Sequence, residues 1–72
     1  MVSQHKQSLL RRDQVELRTG LSRSSLYALV QSGEFPAPIE LNGRSRAWIE
    51  SEVDTWIAGK IEAARPSDLK RA

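Results

Sequence analysis

Three polar side chains in one short segment have the chemistry to bind an anionic ligand: Arg23, Ser24 and Tyr27. A guanidinium donates paired hydrogen bonds to a phosphate or to a guanine edge, and hydroxyl groups bond phosphate oxygens. They lie within "GLSRSSLYALVQSG", residues 20–33, between two glycines. Gln31, which is long enough to reach an adenine edge, follows in the same segment. These residue types suit contact with nucleic acid, provided that one face presents them.

A second basic group lies about ten residues further on, in the stretch "NGRSR". Asparagine followed by glycine is a strong signal for a β-hairpin, because both residues tolerate positive φ. We therefore predict a hairpin with Arg44 at its tip and Arg46 on a return strand of residues 45–48. The stretch lacks the glycines and the Lys-Ser/Thr pair of a Walker phosphate loop. Candidate contacts on this hairpin are Asn42, Gly43, Arg44, Ser45 and Arg46.

Catalytic and metal-binding groups are scarce in the sequence. Cysteine is absent, and the single histidine, His5, lies in a polar N-terminal stretch far from any pair of acids. Glu50, Glu52 and Asp54 are spaced two apart, so a helix would spread them around its axis, and they suit the positive start of a helix. We therefore expect no enzymatic activity, no metal and no cofactor.

Two short helices joined by a tight turn must position the first polar group. The first helix is predicted over residues 12–18 and ends at Gly20, which supplies a left-handed turn residue. The second follows an N-cap at Ser22 and ends at Gly33. A glycine turn this short between two helices is typical of a helix-turn-helix. The apolar residues assigned to the first segment are Leu10, Val15 and Leu17.

The second helix has an apolar face and a polar face. Leu26, Leu29 and Val30 follow the i, i+3, i+4 spacing and form one apolar stripe. The opposite face carries Ser24, Tyr27, Ala28 and Gln31, with Arg23 beside it.

A third helix completes the predicted fold. One face of the last segment gathers Ile49, Val53, Trp56, Ile57, Lys60, Ile61 and Ala64. Phe35 and Trp48 are expected to join this face in a single core. The predicted fold is mainly α with a small β-hairpin: a winged helix-turn-helix of two short helices, a two-stranded wing and a C-terminal helix.

The chain of 72 residues is long enough for one small domain and carries a net charge of +2. We predict a domain over residues 9–64, between a flexible arm (1–8) and a flexible tail (65–72). The positive excess lies before residue 50, where six arginines of the predicted domain stand against four acids. We recognise no secretion signal or membrane-spanning run, and expect a cytoplasmic protein at the nucleoid with no membrane partner.

Two helices followed by an arginine-bearing hairpin indicate binding to double-stranded DNA. In such a domain the second helix enters the major groove, and the wing lies on the backbone or reaches the minor groove. So small a domain buries little surface, and a homodimer or cooperative multimer on DNA is a further expectation. The predicted contacts of the second helix are Ser22, Arg23, Ser24, Ser25, Tyr27 and Gln31, and weaker backbone contacts are Arg11 and Arg12.

The sequence also resembles the AlpA family of small phage and prophage regulators, within the MerR-like and excisionase-like winged helices. The matching stretches are Thr19–Ser24, Leu26-Tyr27, Gly33–Pro38, Trp48, Glu50–Val53 and Trp56-Ile57. The family often has threonine where this chain has Ser25, and many helix-turn-helices carry a small residue where it has Glu16. The resemblance implies a sequence-specific DNA-binding transcriptional regulator of prophage or mobile-element genes, such as those for integration and excision.

Two other functions stay open at the level of sequence. Related excisionases use the same domain to bend attachment-site DNA and so direct recombination. A winged-helix module that binds only proteins would show an apolar recognition face, which Ser24, Tyr27 and Gln31 do not form.

Overall fold

A computed structural model describes residues 8–65. In chain order the elements are β1 (Leu9–Leu10), α1 (Arg12–Thr19), α2 (Arg23–Ser32), β2 (Ile39–Asn42), β3 (Ser45–Ile49) and α3 (Glu50–Ala64). The mainly helical fold is compatible with the predicted winged helix-turn-helix, and the sheet is small. Residues 1–7 of the predicted arm and 66–72 of the predicted tail lie outside the described part.

The helix-turn-helix forms where its local signals place it. Gly20 ends α1 with a φ of 77°, and its N–H donates to the carbonyl of Glu16 at 2.8 Å. Because a side chain at positive φ is strained, glycine is the residue that suits this turn. Ser22 caps α2 through its hydroxyl, which accepts the N–H of Ser25 at 3.1 Å. The first helix runs one residue further than predicted, to Thr19.

A third strand, β1, extends the predicted two-stranded wing into a three-stranded antiparallel sheet. Its order is β1-β3-β2, so the return strand of the hairpin is central. Leu10, which lies before the predicted first helix, pairs with Trp48. This strand was not predicted, because two residues show no alternation that a sequence pattern could reveal. Ile49 was assigned to the last helix but ends β3, because its extended backbone pairs with Leu9.

The tip of the hairpin lies close to the predicted position. Asn42 pairs with Ser45, so the residues between the two strands are Gly43 and Arg44. Gly43 has a φ of 51°, and an irregularity in the register between Glu40 and Asn42 accommodates the turn. Arg44 is therefore at the tip and Arg46 on the return strand, as predicted.

One core joins the helices to the sheet. Its buried side chains are Leu10, Val15, Leu26, Phe35, Trp48 and Val53. The indole N–H of Trp48 donates to the carbonyl of Pro36 at 2.8 Å, and that of Trp56 donates to Glu34 at the same distance. These bonds satisfy the polar atoms of two large aromatic groups and fix the loop between α2 and β2.

Three apolar residues assigned to helix faces are exposed to solvent and do not join this core. Leu17 is 84% exposed, because it lies about 200° around α1 from the buried Val15. Ile61 and Ala64 are exposed, since the last two turns of α3 extend beyond the core. Within residues 8–65, none of the helices has both the length and the apolar character needed to span a membrane.

Candidate nucleic-acid interface

Helix α2 presents a polar face to solvent because its other face is anchored. Leu26 is fully buried, and Leu29 and Val30 pack partly buried against the core. The opposite face leaves Ser24 and Gln31 exposed. The anchoring therefore turns outward the residues that the sequence analysis selected for contact.

The first turn of α2 divides its serines between two roles. The hydroxyl of Ser22 accepts the Ser25 N–H and donates to the Ser25 hydroxyl, both at 3.1 Å. These two serines thus close the cap on each other. Within residues 8–65, no acceptor takes the backbone N–H of Arg23 or Ser24. Free N–H groups at a helix start carry partial positive charge, so this end of α2 suits an anionic oxygen.

A surface cleft brings together residues from α1, α2 and the hairpin. It measures about 400 Å³ and its lining is mostly polar. We call it the arginine cleft; its lining residues are Arg11, Arg12, Asp13, Tyr27, Arg44, Arg46 and Trp48. Both residues predicted as weaker backbone contacts therefore lie beside the two wing arginines.

The cleft exists because β1 pairs with β3. Leu10 stands opposite Trp48, and the antiparallel direction then carries the next residue, Arg11, alongside the segment that holds Arg46. Trp48 is buried between the elements, and its ring centroid lies 6.5 Å from that of Tyr27 at a tilt of 54°. A rigid indole thus supports one side of the cleft and the tyrosine ring.

Arg11 occupies a position where its side chain is not needed by the helix. As the N-cap of α1 it offers no acceptor, and Gln14 instead reaches back to accept the Arg11 backbone N–H at 2.8 Å. Serine, threonine, aspartate and asparagine are the usual N-caps, because their oxygens accept helix N–H groups. The arginine side chain is therefore available to the cleft.

The arginines of the cleft have few acidic partners. Arg12 pairs with Glu16 at 3.0 Å. Arg11, Arg44 and Arg46 form no ion pair with another described residue, and neither does Arg23 on α2. Positive charge that the protein does not neutralise attracts an external polyanion.

Arg18 does not belong to this group, although the charge count placed it in the basic half of the chain. Its guanidinium lies 2.9 Å from Glu50 and 3.5 Å from Asp54, both on α3. It links the end of α1 to the start of α3.

The remaining predicted contacts lie around the cleft rather than in it. Three of them are exposed on α2 outside the cleft: Arg23, Ser24 and Gln31. Three others lie at or beside the hairpin tip: Asn42, Gly43 and Ser45. Two further residues line the cleft although the sequence did not predict them as contacts, Asp13 and Trp48. Only the pairing of Leu10 with Trp48 could have placed them there.

Comparison with known proteins gives two matches. The family described as "Prophage CP4-57 regulatory protein (AlpA)" matches residues 8–61. The protein described as "Uncharacterized protein ORF88", from Enterobacteria phage P4, is 45% identical over 56 residues, which are 78% of this chain and 64% of that relative. The chain thus spans just under two thirds of that relative's length. No solved structure matches the chain.

Proposed function

The chain belongs to the AlpA family of prophage regulatory proteins, and from this premise we propose that it regulates phage or prophage genes by binding specific sequences in double-stranded DNA. The arginine cleft is the observation that carries the proposal. The cleft brings together four guanidinium groups from two distant parts of the chain. Among the described residues, an acid pairs with one of these groups, that of Arg12.

The cleft suits the DNA backbone better than a base edge. Arginine binds phosphate oxygens through parallel N–H groups, and the Tyr27 hydroxyl is a further donor. Contacts of this kind fix the position of a protein on the duplex without reading its sequence. We therefore assign register and most of the electrostatic affinity to Arg11, Arg12, Arg44 and Arg46.

Sequence reading falls to α2. The N-terminal residues of a recognition helix contact base edges in the major groove. Arg23 has the fork that matches guanine, and Ser24 stands beside it on the exposed first turn. Gln31 lies two turns later, so its contact with a base depends on how steeply the helix enters the groove.

One copy of so small a domain has few contacts from which to build affinity. Single modules of comparable size bury roughly 600–1,000 Å² on DNA. A homodimer or a set of cooperative copies on repeated sites would raise the affinity, and this assembly is part of the proposal. Binding to DNA would also locate the protein at the nucleoid.

Selection of bound duplexes from a random pool, with the full chain of 72 residues, tests the proposal. We expect an enriched motif, and a dissociation constant for that motif that rises steeply with salt. The logarithmic slope should be near −0.9 for each neutralised phosphate. An unenriched pool would contradict sequence-specific regulation.

The same duplexes distinguish the excisionase alternative. A bend angle measured by circularly permuted fragments should be small on a regulatory site. A strong bend on an attachment-site fragment, with no effect on a neighbouring promoter, would favour a recombination role instead.

A further inference from the structure

The ion pair between Arg12 and Glu16 is placed unfavourably within its helix. Arg12 is the first residue of α1, and Glu16 lies one turn later. Cations are unfavourable near the start of a helix and anions near its end, and an acid that follows a base by four residues is the weaker order for a helical pair. The pair therefore does little to stabilise α1, although its N–O distance is 3.0 Å.

The position of Glu16 adds to this observation. It lies four residues before the turn glycine, Gly20, where many helix-turn-helices carry a small side chain. Local rules that a sequence breaks without a gain in stability point to a site with a function. Because Arg12 lines the arginine cleft, the function of the pair should lie there.

The geometry of the pair leaves much of the guanidinium free. The Glu16 carboxylate accepts a hydrogen bond from Nε of Arg12. No described residue accepts one from the two Nη groups of Arg12. A guanidinium is planar, so a bond at Nε restricts the plane in which the Nη groups point. Both side chains are partly shielded, with exposures of 40% for Arg12 and 27% for Glu16. Partial shielding strengthens such a bond relative to a fully exposed one.

We propose that Glu16 is a positioning residue: it holds Arg12 so that the free Nη groups meet a backbone phosphate in the arginine cleft. The inference rests on the proposed DNA-binding function. Arginine loses considerable rotamer freedom when it is fixed on a ligand, and a side chain that is already held loses less on binding. Glu16 therefore favours the register in which Arg12 meets its phosphate.

A carboxylate close to DNA also repels phosphates in general. Removing it should strengthen binding to every duplex if charge were its only effect. Positioning predicts the opposite for the preferred duplex, because there the base contacts of α2 fix one register and Arg12 must be ordered on one phosphate. A scrambled duplex fixes no such register, so it loses less. Charge alone would leave the ratio of affinities for preferred and scrambled DNA unchanged, whereas positioning predicts that this ratio falls, so the ratio is the quantity to measure.

The experiment compares Glu16→Ala, Glu16→Gln and wild type on the selected duplex and on a scrambled duplex of equal length. Glu62→Ala is the matched control, because it also removes one negative charge. Glu62 is an exposed acid on α3 and does not line the cleft. We expect Glu16→Ala to lower the affinity ratio about fivefold. Glu16→Gln should restore most of it, since the amide oxygen still accepts from Nε. Glu62→Ala should leave the ratio unchanged.

A second measurement isolates the partner. In an Arg12→Ala background, Glu16→Ala should change the ratio by less than twofold, because the residue that it positions is gone. An equal gain on both duplexes for Glu16→Ala in the wild-type background would overturn the inference, as would the same ratio loss with and without Arg12. Wild type that binds both duplexes equally would overturn the proposed function and the inference with it. A wild-type preference that Glu16→Ala leaves intact would overturn the inference alone.

Discussion

The two ends of helix α1 carry arginines in opposite surroundings. At its start, Arg11 and Arg12 line a cleft together with two further arginines. At its end, Arg18 lies between Glu50 and Asp54 of α3. The helix thus carries arginines with few acidic partners at its start, and at its end an arginine whose ion pairs join α1 to α3. The net charge of +2 understates the charge of the cleft, because α3 neutralises arginine elsewhere.

The difference teaches that arginine becomes a binding residue only where the fold supplies too few acids. If this interpretation is right, substitutions of arginines on the wing and on α2 should lower DNA affinity, and substitutions in α3 and at the end of α1 should change stability alone. Four predictions test the separation, from the largest expected effect to the smallest.

Removing both wing arginines should weaken DNA binding most. Arg44→Ala with Arg46→Ala removes two charge-assisted contacts, at about 1.5 kcal/mol each, for a loss of about 3 kcal/mol. Isotherms at several salt concentrations should show a logarithmic slope shallower by about 2 units.

The matched control for the wing variant removes two positive charges from the C-terminal end of α3 and its C-cap, by Lys60→Gln with Arg65→Ala. These residues line a different concavity, beside Arg18. An equal loss of affinity in this control would mean that overall charge, and not the cleft, binds DNA.

Arg23→Ala should cost about 1–3 kcal/mol on the selected duplex and relax the preference at one base position. The reason is that α2 presents this arginine outward, free of ion pairs with other described residues. Selection repeated with the variant measures the change in preference. A uniform loss on all duplexes would assign Arg23 to the backbone instead.

Gly59→Ala should stabilise the fold by about 1 kcal/mol and leave DNA binding unchanged. A β-carbon at this position would meet no atom within 4 Å beyond the neighbouring backbone of α3 itself, so the glycine is not needed for packing within the described fold. Chemical denaturation measures the gain.

Gly20→Ala is the contrasting variant for this prediction. That glycine has equal space around it but a φ of 77°, so alanine should destabilise the turn. A loss of stability for Gly59→Ala would show that α3 packs against something outside the described residues.

Arg18→Ala should lower the free energy of unfolding by about 0.5 kcal/mol, because its side chain and those of its partners are all partly exposed to solvent. Its DNA affinity and salt slope should match those of wild type. A shallower salt slope would place Arg18 on the DNA and remove the contrast between the two ends of α1.

Local signals were sufficient for the helix-turn-helix and for the hairpin. A glycine at positive φ, a serine cap and an Asn-Gly pair act within a few residues, so the sequence shows them directly. The outward face of α2 followed from the spacing of its apolar residues in the same way.

The arginine cleft depends on contacts that sequence spacing does not show. Strand β1 has two residues, and its pairing with β3 brings Arg11 and Arg12 to the wing. The ion pairs of Arg18 also join residues far apart in the sequence, across 32 and 36 residues. The sequence groups the arginines only by their position along the chain. Whether an arginine pairs with an acid or stays unpaired depends on residues that the fold brings next to it.

The pairing of β1 with β3 also predicts an order for the events of folding. The helix-turn-helix rests largely on contacts between near neighbours, whereas Leu9 meets Ile49 only after a loop of about forty residues closes. The chain loses the entropy of loop closure before the long-range contacts form and stabilise it, and strand pairing of this kind is therefore slow. The four arginines therefore share a cleft only in the completed fold. If the cleft binds DNA as proposed, a partly folded chain with its helices in place should have a lower affinity for DNA than the finished domain.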